Sequence, residues 1–275
     1  MKMPRKRILL LTPLALFALV YIGAAVMLAL QDDRIPVLGK PAPHYQTIAI
    51  FGASGTAGDG ILKAALASPD IQKIHVITRR TTPRIEQGVA AGKVQVTLHQ
   101  DYLDYSALEE QIAAADAAFW AIGLSSLGVD EKTYGEIHVD YPASFVTKWL
   151  TVSDKPAILF HYISSSDISE DSTAMWAREK VRAERTLFKL AEGTKLRVIA
   201  YRPDYIGPTD EEAHLGQKLL YWFFAPIGAA AKAEQIGKAM IEVTARSDEF
   251  VNGGKAGTRS IIRYADAYDR RLAGR

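Results

Sequence analysis

Three glycines, Gly52, Gly55 and Gly58, stand between an apolar run and a stretch of helix-forming residues. Glycine allows the backbone to turn sharply and to come close to a pyrophosphate. A helix that begins after such a turn directs its free N–H groups and the positive end of its dipole at phosphates. A strand before the glycines and a helix after them are the context that the dinucleotide-binding motif requires. The pattern predicts that these glycines, with Ser54 and Thr56, bind a dinucleotide; a plain turn in an α/β core is the alternative.

The residues at the end of the next predicted strand indicate which dinucleotide is bound. In NAD-specific folds an acidic residue near this position accepts hydrogen bonds from the ribose 2′-hydroxyl, and the chain has none here. Arg79 and Arg80 stand there instead, and guanidinium groups suit a 2′-phosphate through bidentate, charge-assisted hydrogen bonds. The pair favours NADP over NAD, with two merely exposed arginines as the alternative.

Small or polar residues also follow the next two predicted strands. Asp101 comes just after the third strand, and Ala121 and Gly123 lie at the end of the fourth. Small side chains at a strand end leave room for a cofactor. We expect these three residues to contact the dinucleotide.

Side chains farther along the chain are candidates for chemistry. Ser164 ends the fifth predicted strand, and Tyr162 precedes it by two residues, so both lie on the same face of that strand. Trp176 and Lys180 are four residues apart in a predicted helix, which places them one turn apart on one face.

These residues are positioned by an alternation of predicted strands and helices from residue 46 onward. Such alternation implies a parallel sheet with helices on both faces, and ligands then bind at the carboxyl ends of the strands. The prediction is an α/β fold, a Rossmann-type doubly wound parallel sheet in a single domain. Strands are expected at 47–51, 73–78, 94–98, 117–122, 157–164 and 196–201, and helices at 59–67, 106–115, 131–150, 173–191 and 234–245.

The order of these features resembles that of a known family. Along the chain they are GASGTAG, TRR, the Asp101 segment, FWAIG, Ser164, Lys180 and Arg202-Pro203. The chain resembles the atypical extended-type short-chain dehydrogenase/reductases over roughly residues 46–245. It is most similar to their Tat-interacting-protein-like branch, because WAIG is followed by Tyr134 and the pair Asp140-Tyr141. The resemblance implies a dinucleotide-binding domain in which Pro203 and Lys180 also contact the cofactor.

The resemblance also implies roles for the candidate catalytic residues. In the family a tyrosine exchanges a proton with the substrate, a lysine four residues later binds the nicotinamide ribose, and a serine positions the substrate. Ser164 and Lys180 match the serine and the lysine, whereas Trp176 occupies the tyrosine position. An indole N–H donates a hydrogen bond but cannot cycle a proton near neutral pH. Tyr162 is a candidate substitute, although core packing is the commoner role of such a tyrosine.

The composition excludes several other classes of site. The chain has 275 residues, enough for one large α/β domain. Its net charge is +2 and it has no basic stripe with interleaved aromatic residues, so nucleic acid is not an expected partner. The absence of cysteine excludes disulfides and thiol catalysis. The six histidines are scattered without ligand spacing, so no metal site is expected.

The N-terminus carries a candidate membrane anchor, assigned to residues 1–30. Four basic residues precede the segment 8–30, which has no charged residue. A helix of that length rises about 35 Å, enough to cross a hydrocarbon core of about 30 Å. A cleaved signal peptide and a buried helix are the alternatives. The positive-inside rule favours the exoplasmic or luminal side for the domain, whereas the abundance of dinucleotides in the cytoplasm argues for the opposite side.

Two segments flank the predicted core of the domain. Residues 31–46 contain three prolines, which favour extended backbone and a linker; an arm packed on the domain is the alternative. The domain itself is assigned to 47–275, with a substrate-side segment at 204–275. Within that segment, 218–231 is apolar and aromatic, and it is expected to seal the core, line a substrate pocket or contact the membrane surface.

The polar C-terminal tail begins at Arg246. Its charges at Arg263, Arg270, Arg271 and Arg275 are interpreted as a solvated face or a frayed end.

Two functional hypotheses follow from these observations. The first is a membrane-anchored, NADP-binding oxidoreductase acting on an unknown carbonyl or alcohol. The second is a non-catalytic dinucleotide-binding protein with a regulatory or scaffolding role, which the tryptophan at position 176 favours. A nucleotide-sugar epimerase is disfavoured, because it needs the same missing tyrosine.

Overall fold

A seven-stranded parallel sheet forms the centre of the molecule in the computed structural model, which describes residues 5–31, 33–38, 45–211 and 213–274. The strands are β1 (Thr47–Phe51), β2 (Lys73–Thr78), β3 (Val94–Leu98), β4 (Ala117–Trp120), β5 (Ile158–Ile163), β6 (Leu196–Arg202), β7 (Tyr205–Gly207), β8 (Ala230–Lys232) and β9 (Gly254–Gly257). The order in the main sheet is β3-β2-β1-β4-β5-β6-β9, with every neighbouring pair parallel. β7 and β8 form a separate parallel pair.

Helices cover both faces of this sheet. The α-helices of the described residues are α1 (Arg5–Leu30), α2 (Thr56–Ala67), α3 (Pro83–Ala90), α4 (Glu109–Ala114), α5 (Glu131–Gly135), α6 (Tyr141–Val152), α7 (Met175–Ala191), α8 (Leu215–Phe224), α9 (Ala233–Ala245) and α10 (Thr258–Ala273). Of these, α1 and α8 lie away from the sheet. The side chains of β1 alternate between two buried clusters. Ile48 and Ile50 pack with α2, α9 and α10, whereas Ala49 and Phe51 pack with α4, α6 and α7. The doubly wound α/β architecture is therefore confirmed.

The six predicted strands are present, whereas β7, β8, β9, α3, α8 and α10 were not predicted, and neither was a break in the helix expected at 131–150. β9 is a seventh strand at the edge of the sheet beside β6. α3 is capped by Thr82, whose side chain accepts a hydrogen bond from the Ile85 N–H at 3.4 Å. The single helix expected at 131–150 is interrupted by a π-helical turn at Glu136–Asp140, directly before Pro142 in the first turn of α6.

Helix α1 is long and apolar enough to cross a membrane. Its window Pro13–Leu30 has a mean hydropathy of 2.3, and none of it is buried in the protein. Length and composition alone make it a candidate span, and a signal sequence near the N-terminus passes the same criteria.

The chain just after α1 contacts α10. The Asp33 carboxylate lies 3.0 Å from Nη2 of Arg259 and also pairs with Arg263. Arg270 Nη2 donates to the Ile35 carbonyl oxygen at 2.8 Å. Residues 33–38 of the predicted linker thus lie against the domain, whereas 39–44 fall outside the described residues.

The expectation that the apolar segment 218–231 seals the core is wrong for most of its length. Helix α8 has no buried residue, and only Ala230 and Ala231, in β8, are buried core residues. The helix faces outward because β7 and β8 occupy its inner side.

The interpretation of the C-terminal arginines as a solvated face or frayed end is wrong for Arg271. This residue is buried, with Nη2 2.7 Å from Glu242 Oε2 and Nη1 2.8 Å from Asp70 Oδ2. The tail is ordered as β9 and α10 and completes one face of the sheet.

Candidate functional site

A cleft of about 340 Å³ opens at the carboxyl ends of β1, β2 and β4. β2 lies on one side of β1 and β4 on the other, so the strand order reverses at β1. Open α/β sheets bind ligands at such a switch point. The cleft brings together seven predicted contact residues, Gly52, Ser54, Gly55, Arg79, Arg80, Ala121 and Gly123. It is also lined by six residues that were not assigned to the site, Thr78, Tyr102, Ile122, Leu124, Ile137 and Tyr141.

Two of the motif glycines are required by the fold itself. Gly52 has a φ of +78°, and a Cβ on it would lie 2.6 Å from the carbonyl carbon of Ala121. A Cβ on Gly58 would lie 1.9 Å from the Gly52 carbonyl oxygen. These glycines let the turn approach the end of β4 and let α2 pack on the turn.

Gly55 differs, because nothing in the protein requires a glycine there. Its φ of −103° is accessible to any residue, and an added Cβ would meet only the Gly52 carbonyl oxygen, at 3.5 Å. α2 begins at the next residue without a side-chain cap, so its first N–H groups are available to an anion. The open space at Gly55 therefore fits a pyrophosphate that comes close to the backbone.

The two arginines lie at the end of β2 and line the cleft. Arg80 Nη2 donates to the Ser54 carbonyl oxygen at 3.2 Å, which places its guanidinium beside the glycine turn. Among the residues that the structure describes, the Arg79 guanidinium has no hydrogen bond or ion pair, and its side chain is exposed. A free cation at this position suits a phosphate group on the ribose.

Four predicted cofactor contacts in the loops and helix starts do not line the cleft. Thr56 is exposed as the first residue of α2, and Gly58 is buried in the same helix. Asp101 is exposed, and its Oδ1 accepts a hydrogen bond from the Leu103 N–H at 2.9 Å. Pro203 is buried directly after β6. Contact between these residues and a dinucleotide stays a prediction.

Ser164 and Lys180 lie near each other behind the end of β5, outside the lining of the cleft. The Ser164 hydroxyl is buried and has no hydrogen-bond partner among the described residues. Lys180 Nζ donates to the Ile163 carbonyl oxygen at 3.0 Å and to the Tyr162 hydroxyl oxygen at 3.4 Å. Burial lowers the pKa of Lys180 to about 7, against the opposing charge of Glu184.

Tyr162 is poorly placed to take the role of the catalytic tyrosine that the family resemblance implies. Its side chain is fully buried, its hydroxyl donates to the His138 carbonyl oxygen at 3.1 Å, and burial raises its pKa well above the ordinary value. A group that exchanges protons with a substrate must come within hydrogen-bond reach of it. Trp176 is partly exposed, one turn before Lys180 at the start of α7.

The π-helical turn supplies a buried histidine that sequence analysis did not single out. The Leu124 N–H donates to Nε2 of His138 at 3.2 Å, and a Cβ on Gly123 would lie 3.3 Å from its Cε1. Burial, assisted by the positive charge of Lys180, lowers the pKa of His138 to about 3, so the ring is neutral. The ring thereby fixes the loop that forms one wall of the cleft. Only the WAIG–Tyr134 resemblance pointed to this region, because a π-turn has no local sequence signal of its own.

Comparison with known proteins identifies the fold. No family model matches the chain. A curated relative, Leucinostatins biosynthesis cluster protein T from Purpureocillium lilacinum, is 30% identical over 145 residues, and the match covers 51% of each protein. The chain thus spans about half the length of this relative.

Solved structures match over much more of the chain. A short-chain dehydrogenase/reductase from Serratia marcescens has a TM-score of 0.61 at 17% identity, covering 82% of this chain and 100% of that one. BdcA in complex with NADPH has a TM-score of 0.60 at 14% sequence identity, and the match covers 77% of this chain and 92% of that one. A 3-oxoacyl-[acyl-carrier protein] reductase from Brucella melitensis in complex with NAD has a TM-score of 0.59 at 16% sequence identity, and the match covers 80% of this chain and 97% of that one. The chain therefore has the Rossmann-like fold of the short-chain dehydrogenase/reductases.

Proposed function

We propose that the chain is an NADP-binding, short-chain dehydrogenase/reductase-like oxidoreductase that acts on an unknown carbonyl or alcohol, and that residues 8–30 hold it at a membrane. The observation that carries the proposal is the open space at Gly55 beside a free guanidinium. The fold does not need a glycine at position 55, yet a glycine is present. This combination points to a ligand that approaches the backbone there. The atypical, Tat-interacting-protein-like subtype is part of the same proposal.

The residues of the cleft would divide the binding of the dinucleotide among them. The turn at Gly52–Gly55 and the start of α2 would bind the pyrophosphate. Arg79 and Arg80 would bind the 2′-phosphate, which distinguishes NADP from NAD. BdcA was solved with NADPH and the Brucella melitensis reductase with NAD, so this fold accommodates either cofactor, and the arginine pair is the reason to favour NADP here.

The chemistry at the substrate would depend on fewer groups than usual. A bound dinucleotide supplies or accepts the hydride. The resemblance assigns the substrate oxygen to the Ser164 hydroxyl, which is buried without a partner among the described residues and would have to be uncovered for a substrate to reach it. Trp176 donates a hydrogen bond but no proton, and Tyr162 is enclosed, so water is the proposed source of the proton.

The second candidate function is a non-catalytic protein that binds a dinucleotide and regulates or scaffolds a partner. Trp176 favours it, because the residue in the tyrosine position cannot act as a general acid near neutral pH. Both candidates require the same cofactor site, and they differ only in turnover.

Cofactor titration of the full chain in detergent tests the shared part of the proposal. Isothermal calorimetry should show tighter binding of NADPH than of NADH. No binding of either dinucleotide would overturn both candidate functions. If NADPH binds, a panel of aldehydes, ketones and alcohols then separates the two: oxidation of NADPH by any carbonyl supports the oxidoreductase, and binding without turnover supports the regulatory protein.

A further inference from the structure

The outward face of helix α8 is apolar. Leu215, Leu219 and Trp222 follow the i, i+4, i+7 spacing of a single helix face, and their exposed fractions are 72%, 54% and 63%. Phe223 continues this stripe with 44% exposed. A surface helix in water normally carries polar residues on this side, so the polarity of α8 is inverted.

The inner face of α8 contacts the domain around a cavity of about 180 Å³, which Tyr221 and part of Trp222 line. The Tyr221 ring covers Gly207 of β7, since a Cβ on that glycine would lie 2.9 Å from the ring. The Phe224 ring lies 6.2 Å from that of Tyr205, measured between centroids. The helix is therefore held in place by its own residues, and its outward stripe is left for a partner outside the domain.

The outward stripe is continuous with α1. The Phe223 ring lies 5.4 Å from the Tyr21 ring and 6.4 Å from the Phe17 ring. The Tyr21 hydroxyl donates to the Phe223 carbonyl oxygen at 2.5 Å, and Leu28 lies beside Gly228 just after α8. Phe17, Tyr21 and Leu28 all belong to the apolar window of α1, so the two helices form one apolar surface.

Polar groups mark the end of that surface. Asp33 pairs with Arg259 and Arg263 directly after α1, which is the level of lipid headgroups if α1 is buried to Leu30. Tyr21 is nine residues before Leu30, about 14 Å along a helix axis. The end of α8 that contacts Tyr21 then lies below the headgroups.

We propose that α8 is a second membrane-contacting element, whose outward stripe inserts into the acyl-chain boundary of the bilayer beside α1. Interfacial helices bury an apolar face in the boundary between headgroups and acyl chains, and extended apolar patches on a surface mark such contacts. The proposal goes beyond the oxidoreductase activity and rests on the anchoring part of the proposed function, which the label at position 19 tests separately.

The absence of cysteine makes a clean test possible. Single-cysteine variants of the full chain, Leu219→Cys and Trp222→Cys, are labelled with an environment-sensitive fluorophore and reconstituted into phosphatidylcholine vesicles. Val251→Cys is the matched control, an apolar residue 77% exposed near the opposite end of the sheet, where Gly253 bonds to Val198. Leu19→Cys reports whether α1 itself is in lipid.

Quenching then decides the question. Nitroxide groups on the acyl chains should quench the labels at 219 and 222 several-fold more than the label at 251, and aqueous iodide should show the reverse order. Labels at 219 and 222 that are as open to iodide as the control would overturn the proposal. Protection from both quenchers would overturn it too, because a second protein chain would then cover the face. Lipid quenching at position 19 alone would leave the anchor intact and reject only the role of α8.

Discussion

The ammonium nitrogen of Lys180 lies 3.4 Å from the hydroxyl oxygen of Tyr162, in the interior behind the end of β5. The lysine is buried there with its second hydrogen bond to the Ile163 carbonyl oxygen. Because burial lowers the pKa of Lys180 to about 7, the charge of its side chain changes with pH near neutrality. This pair connects the fold to a measurable dependence of stability on pH.

Replacement of Lys180 by methionine should change how stability depends on pH. Between about pH 7 and the ordinary lysine pKa of about 10.4, the unfolded chain binds a proton that the folded chain does not. The free energy of unfolding should therefore rise with pH in this window, on the order of 1 kcal/mol per unit, and the cost of burying the charge is present in full below the window. Urea unfolding of the full chain in detergent measures the slope, which Lys180→Met should flatten.

Lys148→Met is the matched control for that experiment, because Lys148 pairs with Glu109 on the surface, at 2.8 Å. The free energy of unfolding of Lys148→Met should rise with pH as steeply as that of the wild type. Equal slopes for Lys180→Met and the wild type would show that Lys180 does not titrate in this window.

Two glycine substitutions should separate the needs of the fold from those of the ligand. Gly58→Ala places a methyl group 1.9 Å from the Gly52 carbonyl oxygen and should lower stability by about 1–3 kcal/mol. The Cβ that Gly55→Val adds meets only one backbone atom, at 3.5 Å, so the change should alter stability by less than about 1 kcal/mol, yet abolish dinucleotide binding. Thermal unfolding and NADPH titration measure both effects. Wild-type affinity in Gly55→Val would remove the reason to place the pyrophosphate there.

Replacement of Arg79 and Arg80 by alanine should weaken NADPH binding by about 1–3 kcal/mol for each charged hydrogen bond that is lost. NADH lacks the 2′-phosphate, so its affinity should barely change and serves as the internal control. Arg79→Ala is the cleaner single variant, because Arg80 also donates to the Ser54 carbonyl oxygen. Calorimetric titration with both cofactors measures the difference, and an equal loss for both would argue against a 2′-phosphate site.

Trp176→Tyr should restore a proton donor one turn before Lys180. If the rest of the site is competent, NADPH-dependent reduction of a carbonyl panel should increase, because the phenol can give the proton that the indole cannot. Initial rates of NADPH oxidation measure the effect, with Trp176→Phe as the control that removes the indole without adding a donor. A wild type that is active and loses activity on Trp176→Tyr would show that the tryptophan has a role of its own.

The parts of the fold that sequence analysis predicted are those with a local pattern. The run Ile48–Phe51 is apolar throughout, which is typical of a strand buried on both faces. β9 was missed because Gly254–Gly257 carries no apolar run, and it is a strand only because β6 offers it an edge. Arg271 was misinterpreted because the carboxylates that permit its burial, those of Glu242 and Asp70, are far away in sequence.

The site follows the same division. Gly52 and Arg79 were found because they sit at strand ends, which the topology brings to one edge of the sheet. Tyr102 and Tyr141 line the same cleft from loops and helices, and their rings stack 5.6 Å apart. The π-helical turn determines where α6 begins and therefore where Tyr141 meets Tyr102. No periodicity in the sequence predicts that turn.

The contacts between the chain after α1 and helix α10 limit how far the domain can travel. A free tether of 16 residues would let a domain explore about 20–25 Å around its attachment point. Asp33 and Ile35 instead bind the start of this segment to arginines of α10, which holds the end of α1 against the domain. With α1 in a bilayer as proposed, any reaction partner must therefore reach a cleft held at one height and one orientation above the membrane.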